Sequence, residues 1–181
     1  MTEEWSRPLE PELMFWILGV GPSQSVSITW ESNIFDAKFI QSKMATIVVQ
    51  TEINATVEKA WEVISDIDNE PKFWKGTKNV KTLSKDGDII KREITIAFRD
   101  QKCLQEIQLK PNKEINAKFT QGILDGTKII TLTPKDNIVI MKTSWDIKLS
   151  GMMNMFTSII KSHIKSGTEQ AMKSIKEEIE K

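Results

Sequence analysis

Five short turns recur at nearly even spacing between residues 85 and 137, and they constrain the fold of the chain more than any other feature. They are KDGD at 85–88, RDQK at 99–102, KPNK at 110–113, GILDG at 122–126 and TPKDN at 133–137, so a turn begins every 11 to 14 residues. This rhythm is typical of an antiparallel meander, whose strands are joined by tight turns. With the strands on either side, it predicts seven strands.

A strand and two short helices precede the meander. The segment TIVVQTEI at 46–53 alternates as a half-buried strand does. The period then changes, because Val57, Ala60, Trp61 and Ile64 follow at the spacing of an amphipathic helix. Thr56 stands where a cap is expected. A second short helix is expected around 69–74.

A long helix is expected from about residue 150 to the C-terminus. An apolar stripe at helical spacing supports it, formed by Phe156, Ile160, Ile164, Ala171, Ile175 and Ile179. The predicted order is therefore strand, two helices, six strands and one long helix. These elements make an α+β fold.

Two segments carry a resemblance to a known superfamily. INATVEKAWEVISDI at 53–67 resembles the opening strand-to-helix signature of START-like proteins, and DNEPKFWKGTKNVKTL at 68–83 is similar to their proline–tryptophan stretch. This superfamily, also called helix-grip or SRPBCC, includes polyketide cyclases, coenzyme-Q-binding START proteins and birch-pollen-allergen-like lipid-binding proteins. The resemblance covers residues 44–181. It implies a seven-stranded curved antiparallel sheet wrapped around the C-terminal helix, with an apolar cavity between them.

Composition excludes several kinds of partner and site. Basic and acidic residues number 25 each, so there is no basic excess of the kind that nucleic-acid binders show, and no strong attraction to anionic membranes. Cys103 is the single cysteine and His163 the single histidine, which argues against a structural zinc site. A lone cysteine also fits a reducing compartment, so we expect a cytoplasmic protein. We also expect that the protein has no cofactor.

Residues 1–43 differ from the remainder and have two interpretations. The segment holds three of the six tryptophans, and its apolar run at 13–20 is eight residues long, far short of the ~20 that span a bilayer. Translation that starts naturally at Met44 would make 1–43 an annotation overrun. A genuine extension would instead pack its aromatic residues on the domain or on a partner.

Three acidic residues, Asp66, Asp68 and Glu70, precede a proline and two aromatics in DIDNEPKFWKGT. A calcium loop needs glycine at its sixth position and a bidentate glutamate at its twelfth, and these positions hold Pro71 and Thr77. We therefore interpret the three acids as helix caps and solvated surface rather than as a metal or catalytic site.

The alternation of the strands predicts which polar side chains face the interior. Arg92 shares a face with Ile94, Gln105 with Ile107, and Thr143 with the apolar residues of the last strand. A bulge that turns Arg92 outward is the alternative. Of Phe73 and Trp74, we expect one to fill the core and the other to line the mouth of a cavity.

These observations lead to three functional hypotheses. In the first, the protein binds a hydrophobic small molecule, such as a lipid, a quinone or a polyketide-like compound, without catalysis. The expected ligand-binding residues are Phe73, Trp74, Arg92, Gln105, Thr143, Trp145, Met152, Phe156 and His163. In the second, a cyclase-type or dehydratase-like enzyme uses His163 or Arg92 to polarise a carbonyl. In the third, 1–43 or the charged C-terminal end binds a protein.

Overall fold

The computed structural model describes residues 45–149 and 157–181. The strands are β1 (Ala45–Ile53), β2 (Thr77–Asp86), β3 (Ile89–Ile96), β4 (Lys102–Lys110), β5 (Glu114–Gln121), β6 (Leu124–Lys135) and β7 (Ile138–Leu149). Helix α1 (Val57–Ile64) and a 3₁₀ helix (Ile67–Lys72) lie between β1 and β2, and helix α2 (Thr157–Ile179) follows β7. The seven strands and the order of elements predicted from the turns are confirmed.

The strands form one open, curved sheet in the order β1-β7-β6-β5-β4-β3-β2, with every neighbouring pair antiparallel. Consecutive strands from β2 to β7 are joined as hairpins, and β1 closes the order by pairing with β7. This is the helix-grip architecture, with α2 packed against β1 and α1. The fold class expected from the sequence is confirmed.

One face of the sheet is buried, because buried side chains alternate with more exposed ones along β1 and β3 to β7, whereas β2 has no buried residue. The apolar members of this face include Ile94 on β3, Ile107 on β4 and Met141 on β7, all at most 3% exposed. Gly126 on β6 has a φ of +123°, and a Cβ there would lie 2.1 Å from the carbonyl oxygen of Asp146. Only glycine fits this close approach of two strands.

Helix α1 begins as its sequence predicts. The side chain of Thr56 accepts a hydrogen bond of 3.3 Å from the backbone N–H of Lys59, which caps the first turn. Ala60 and Ile64 are the buried residues of this helix. The second short helix is a 3₁₀ helix and ends two residues earlier than expected.

Helix α2 is buried along only part of its length. Ala171, Ile175 and Ile179 of the predicted stripe are at most 2% exposed, and Met172 is buried beside them. Between 158 and 167 no residue is fully buried, and Ile160 and Ile164 are half-buried. Residues 150–156, where the helix was expected to begin, lie outside the described residues. No helix in the described ranges combines the length and apolar character needed to cross a membrane.

Candidate functional site

A buried carboxylate lies at the centre of the candidate site. Glu70, on the 3₁₀ helix, is 9% exposed. Its two oxygens accept one hydrogen bond each, Oε2 from Arg92 on β3 and Oε1 from Lys128 on β6. Our interpretation of Glu70 as a cap or surface residue is therefore wrong, because the 3₁₀ helix turns this side chain towards the sheet.

The two other acids of this stretch are exposed but do not cap the 3₁₀ helix. Asp66 stands at the N-cap position without a side-chain capping bond and instead accepts a 3.0 Å bond from the Asn69 amide. Asp68 accepts a 2.9 Å bond from the Thr82 hydroxyl. The prediction of solvated surface is thus confirmed for both, whereas the capping role is wrong.

The guanidinium of Arg92 is held by three acceptors. Besides Glu70, its Nε donates to Gln105 Oε1 at 2.9 Å, and its Nη1 donates to the carbonyl oxygen of Ile67 at 2.8 Å. The side chain is 1% exposed. The structure therefore excludes the outward bulge and places both Arg92 and Gln105 inside, as the period of two predicted.

Lys128 is a buried cation that was not predicted from the sequence. Its Nζ lies 4.1 Å from the ring centroid of Trp74 and 5.4 Å from that of Trp145, so the ammonium contacts two aromatic rings as well as Glu70. Such contacts stabilise a cation that has lost its water. The alternation of β6 indicates the burial of Lys128, because Lys128 shares a strand face with Ile130 and Leu132.

Three aromatic side chains form one wall beside these charges. The ring centroids of Trp74 and Trp145 are 6.0 Å apart at an interplanar angle of 68°, and Phe119 stacks on Trp145 at 6.1 Å and 23°. The indole N–H of Trp145 donates to the hydroxyl of Thr168 on α2 at 3.0 Å, and that hydroxyl donates to the carbonyl oxygen of Ile164 at 2.7 Å. The helix is therefore fixed to the sheet next to the site.

Burial and charge act on the site in opposite ways. Burial alone raises the pKa of Glu70, but Lys128 and Arg92 outweigh it and hold the pKa at about 2. Burial lowers the pKa of Lys128, Arg92 lowers it further, and Glu70 offsets only part of this. Charge outweighs burial at Glu70 but not at Lys128, because Glu70 faces two cations, whereas Lys128 faces one anion and one cation.

A cavity of about 30 Å³ adjoins the charged cluster. Its lining combines the charged groups Asp66, Glu70, Arg92 and Lys128 with the apolar residues Val63, Ile64, Ile67, Phe73, Trp74, Ile107, Ile115, Ala117, Ile130 and Ile175. This volume accommodates water molecules or a small functional group rather than a ring compound. Phe73 and Trp74 both line it, and Trp74 is also a buried member of the core, whereas Phe73 is only partly buried.

The structure brings together part of the predicted ligand-binding set. Trp145 contacts Lys128, whereas Thr143, which is 0% exposed, lies on the same strand face away from the cavity lining. Among the described residues, no group hydrogen bonds the Thr143 hydroxyl. His163 is exposed on α2, so its expected place in the interior is wrong. Met152 and Phe156 lie outside the described residues.

Two other chemistries find no support in the described ranges. No group of three or more His, Cys, Asp and Glu side chains is placed to hold a metal ion there. Cys103 is 2% exposed, and burial raises the pKa of its thiol. A buried thiol with a raised pKa forms little of the thiolate that a nucleophile requires.

Comparison with known proteins agrees with the helix-grip class that the sheet and α2 define. Residues 44–180 match the sequence profile of the family described as polyketide cyclase / dehydrase and lipid transport, and the chain belongs to this family. No curated protein sequence matches the chain.

Solved structures show the same fold at low sequence identity. The aromatase/cyclase Zhui from Streptomyces is 12% identical with a TM-score of 0.64, and the match covers 76% of this chain and 94% of that one. A START superfamily protein from Mycobacterium smegmatis is 13% identical with a TM-score of 0.60, over 74% and 98% of the two chains. A conserved protein from Geobacillus kaustophilus is 20% identical with a TM-score of 0.56, over 76% and 95%.

Proposed function

We propose that the protein binds a hydrophobic small molecule, such as a lipid, a quinone or a polyketide-like compound, between the sheet and α2. One observation carries this proposal: the cavity at this place has mostly apolar walls and a few fixed polar groups. Such a composition is typical of sites that bind small molecules. Trp74 and Phe73 supply aromatic surface, and Arg92 and Lys128 supply hydrogen-bond donors.

A ring compound needs more than 30 Å³, so ligand binding must widen the space between α2 and the sheet. Ile175 is the α2 residue that lines the cavity and is 2% exposed, so the widening must spread to it from the less buried segment that precedes it. The residues of α2 from 171 onward include four that are at most 2% exposed, whereas none between 158 and 167 is fully buried. A helix segment with few buried apolar contacts opens at lower free-energy cost than a fully packed one.

The description of the family is consistent with this proposal. Lipid transport forms part of the family's description. Because the proposed ligand is small and apolar, the protein needs neither a cofactor nor nucleic acid for this function. We place the protein in the cytoplasm, since its single cysteine cannot form an internal disulfide bond.

The proposal is tested by titrating the purified protein with a broad panel of lipids, quinones and polycyclic aromatic compounds. Trp74 and Trp145 lie at the site, so their fluorescence is the expected signal of binding. We expect saturable binding of at least one class. A protein that binds no member of the panel contradicts the proposal.

A cyclase- or aromatase-type enzyme is the second candidate. Arg92 and Lys128 both line the cavity, and two donors on one side of a bound carbonyl can polarise it as an oxyanion site does. The exposed position of His163 removes it from this role. Turnover of a linear polyketide mimic that is lost in Lys128→Met, with binding of the mimic retained, would favour the enzyme over the binding protein.

A further inference from the structure

The buried cluster contains more positive charge and more hydrogen-bond donors than its own residues satisfy. We infer that the ligand carries an anionic oxygen group, such as a carboxylate or an ionised phenol or enol, which binds between Arg92 and Lys128. The apolar remainder of the ligand would then lie between α2 and the sheet. This inference rests on the proposed function and specifies the chemical class of its ligand.

The donors of the cluster exceed its acceptors. A guanidinium has five N–H donors, and three of those of Arg92 are directed to Gln105, Ile67 and Glu70. An ammonium has three, and one of those of Lys128 is directed to Glu70. Two N–H groups on each cation therefore have no oxygen or nitrogen acceptor among the described residues, although the ammonium of Lys128 also contacts the rings of Trp74 and Trp145. Both oxygens of Glu70 are already engaged.

The charges are unbalanced in the same direction. Arg92 and Lys128 are both at most 3% exposed, and Glu70 is the one acidic residue that forms ion pairs with them in the described ranges. Two cations beside one anion leave an excess positive charge in a region with little water. Buried charges require partners, and an anionic ligand group supplies the missing one.

The position of the cavity fits such a group. The same cavity is lined by Arg92, Lys128 and Glu70, and its volume of about 30 Å³ is sufficient for a carboxylate in the place of water. Asp66 also lines the cavity but is exposed and already accepts a bond from Asn69. Trp74 lies 4.1 Å from Lys128 Nζ and lines the same cavity, so an apolar scaffold attached to the anion would meet aromatic surface.

Calorimetric titration of the wild-type protein with matched acid and alcohol pairs tests this inference. One pair is 2-naphthoate and 2-naphthalenemethanol, and the other is decanoate and decanol, so the two arms separate a ring scaffold from an acyl chain. We expect the acid of at least one pair to bind about tenfold more tightly than its alcohol, because charge-assisted hydrogen bonds are the stronger ones. Equal affinities within both pairs would overturn the inference and leave the proposed function intact.

Two variants with opposite expected effects sharpen the test. Lys128→Met removes one cation and should reduce the preference for the acid about tenfold. Glu70→Gln removes the competing anion and should increase that preference. Lys118→Met, which removes an exposed lysine on the neighbouring strand, is the control and should leave the preference unchanged. A preference that persists in Lys128→Met would also overturn the inference.

Failure of this inference can be distinguished from failure of the proposed function. If none of the four compounds binds while another apolar compound does, the inference alone fails. If no apolar compound binds at all, the proposed function fails with it. The comparison of acid with alcohol on the wild-type protein needs no variant, so it tests the inference whether or not the substituted proteins fold.

Discussion

Glu70 and Lys128, 58 residues apart in the sequence, form an ion pair in the interior of the protein. With Arg92, this pair joins the 3₁₀ helix to two strands of the sheet. A buried ion pair contributes less to stability than its Coulomb attraction suggests, because both ions lose water. Removing one partner is nevertheless costly, since the remaining charge stays buried.

Glu70→Gln should therefore destabilise the fold strongly. The substitution leaves two buried cations without their anion, and we expect the free energy of unfolding to fall by about 3 to 5 kcal/mol. Urea denaturation measures this loss. Glu177→Gln, which removes a carboxylate that is 62% exposed, is the control and should change stability by less than about 0.5 kcal/mol. Equal effects of the two substitutions would contradict the buried ion cluster.

Acid should destabilise the protein through the same carboxylate. The pKa of Glu70 is about 2 in the folded protein and 4.5 in the unfolded chain. Because the folded value is the lower one, its contribution to stability is complete above about pH 4.5 and is lost as the pH falls towards 2. Linkage gives a loss of about 3 kcal/mol over this interval.

Urea denaturation at a series of pH values between about 6 and 2 measures this dependence. Glu70→Gln should lack this part of the acid dependence. Glu178→Gln is the matched control, since hydrogen bonds from Lys181 and Lys72 also lower the pKa of Glu178 to about 2, but at the surface. It should retain the loss that comes from Glu70. An acid dependence that is unchanged in Glu70→Gln would contradict the assignment.

The hydrogen bond between Trp145 and Thr168 should be measurable as a stability difference between two substitutions. Thr168→Val removes the hydroxyl and leaves the buried indole N–H without its acceptor, at an expected cost of about 1 to 2 kcal/mol. Thr168→Ser retains the hydroxyl and should cost less. Thermal or urea unfolding of both variants compares them, and a serine variant no more stable than the valine variant would argue against the bond.

Two glycine substitutions should change stability in opposite directions. Gly126→Ala forces a Cβ against the backbone of Asp146 at a φ that other residues rarely adopt, so we expect a loss of about 2 kcal/mol or more. Gly167→Ala meets nothing within 4 Å on the exposed side of α2 and should stabilise the helix by about 0.5 to 1 kcal/mol. Denaturation midpoints give both values, and a tolerated alanine at 126 would contradict the strand register.

The parts that could be predicted from the sequence are those with a regular period. Alternation along β3 and β4 placed Arg92 and Gln105 inside, because a strand residue has only two faces available. The same rule applied to β6 would have revealed Lys128. The spacing of the turns was sufficient for the strand count because each hairpin is a local structure.

The features that could not be predicted, the burial of Glu70 and the exposure of His163, depend on contacts between segments that are distant in the sequence. Glu70 lies in a 3₁₀ helix too short for a periodic pattern, and its partners come from β3 and β6, so nothing local marked it as buried. His163 lies beside Ile164 in the sequence, but it is exposed whereas Ile164 is half-buried. How far the buried face of α2 extends around the helix depends on its packing against other segments.

Native mass spectrometry of freshly purified protein tests the central claim, that the interior beside Arg92 and Lys128 holds an apolar ligand, most directly. Ala117 lines the cavity at 0% exposure, so Ala117→Leu should fill it, whereas Ala97→Leu adds the same side chain at an exposed site. We expect an additional bound mass on the wild-type protein and on Ala97→Leu, and its loss from Ala117→Leu. An additional mass that Ala117→Leu retains in full would contradict the account, as would a wild-type protein that carries none and takes up none from the panel.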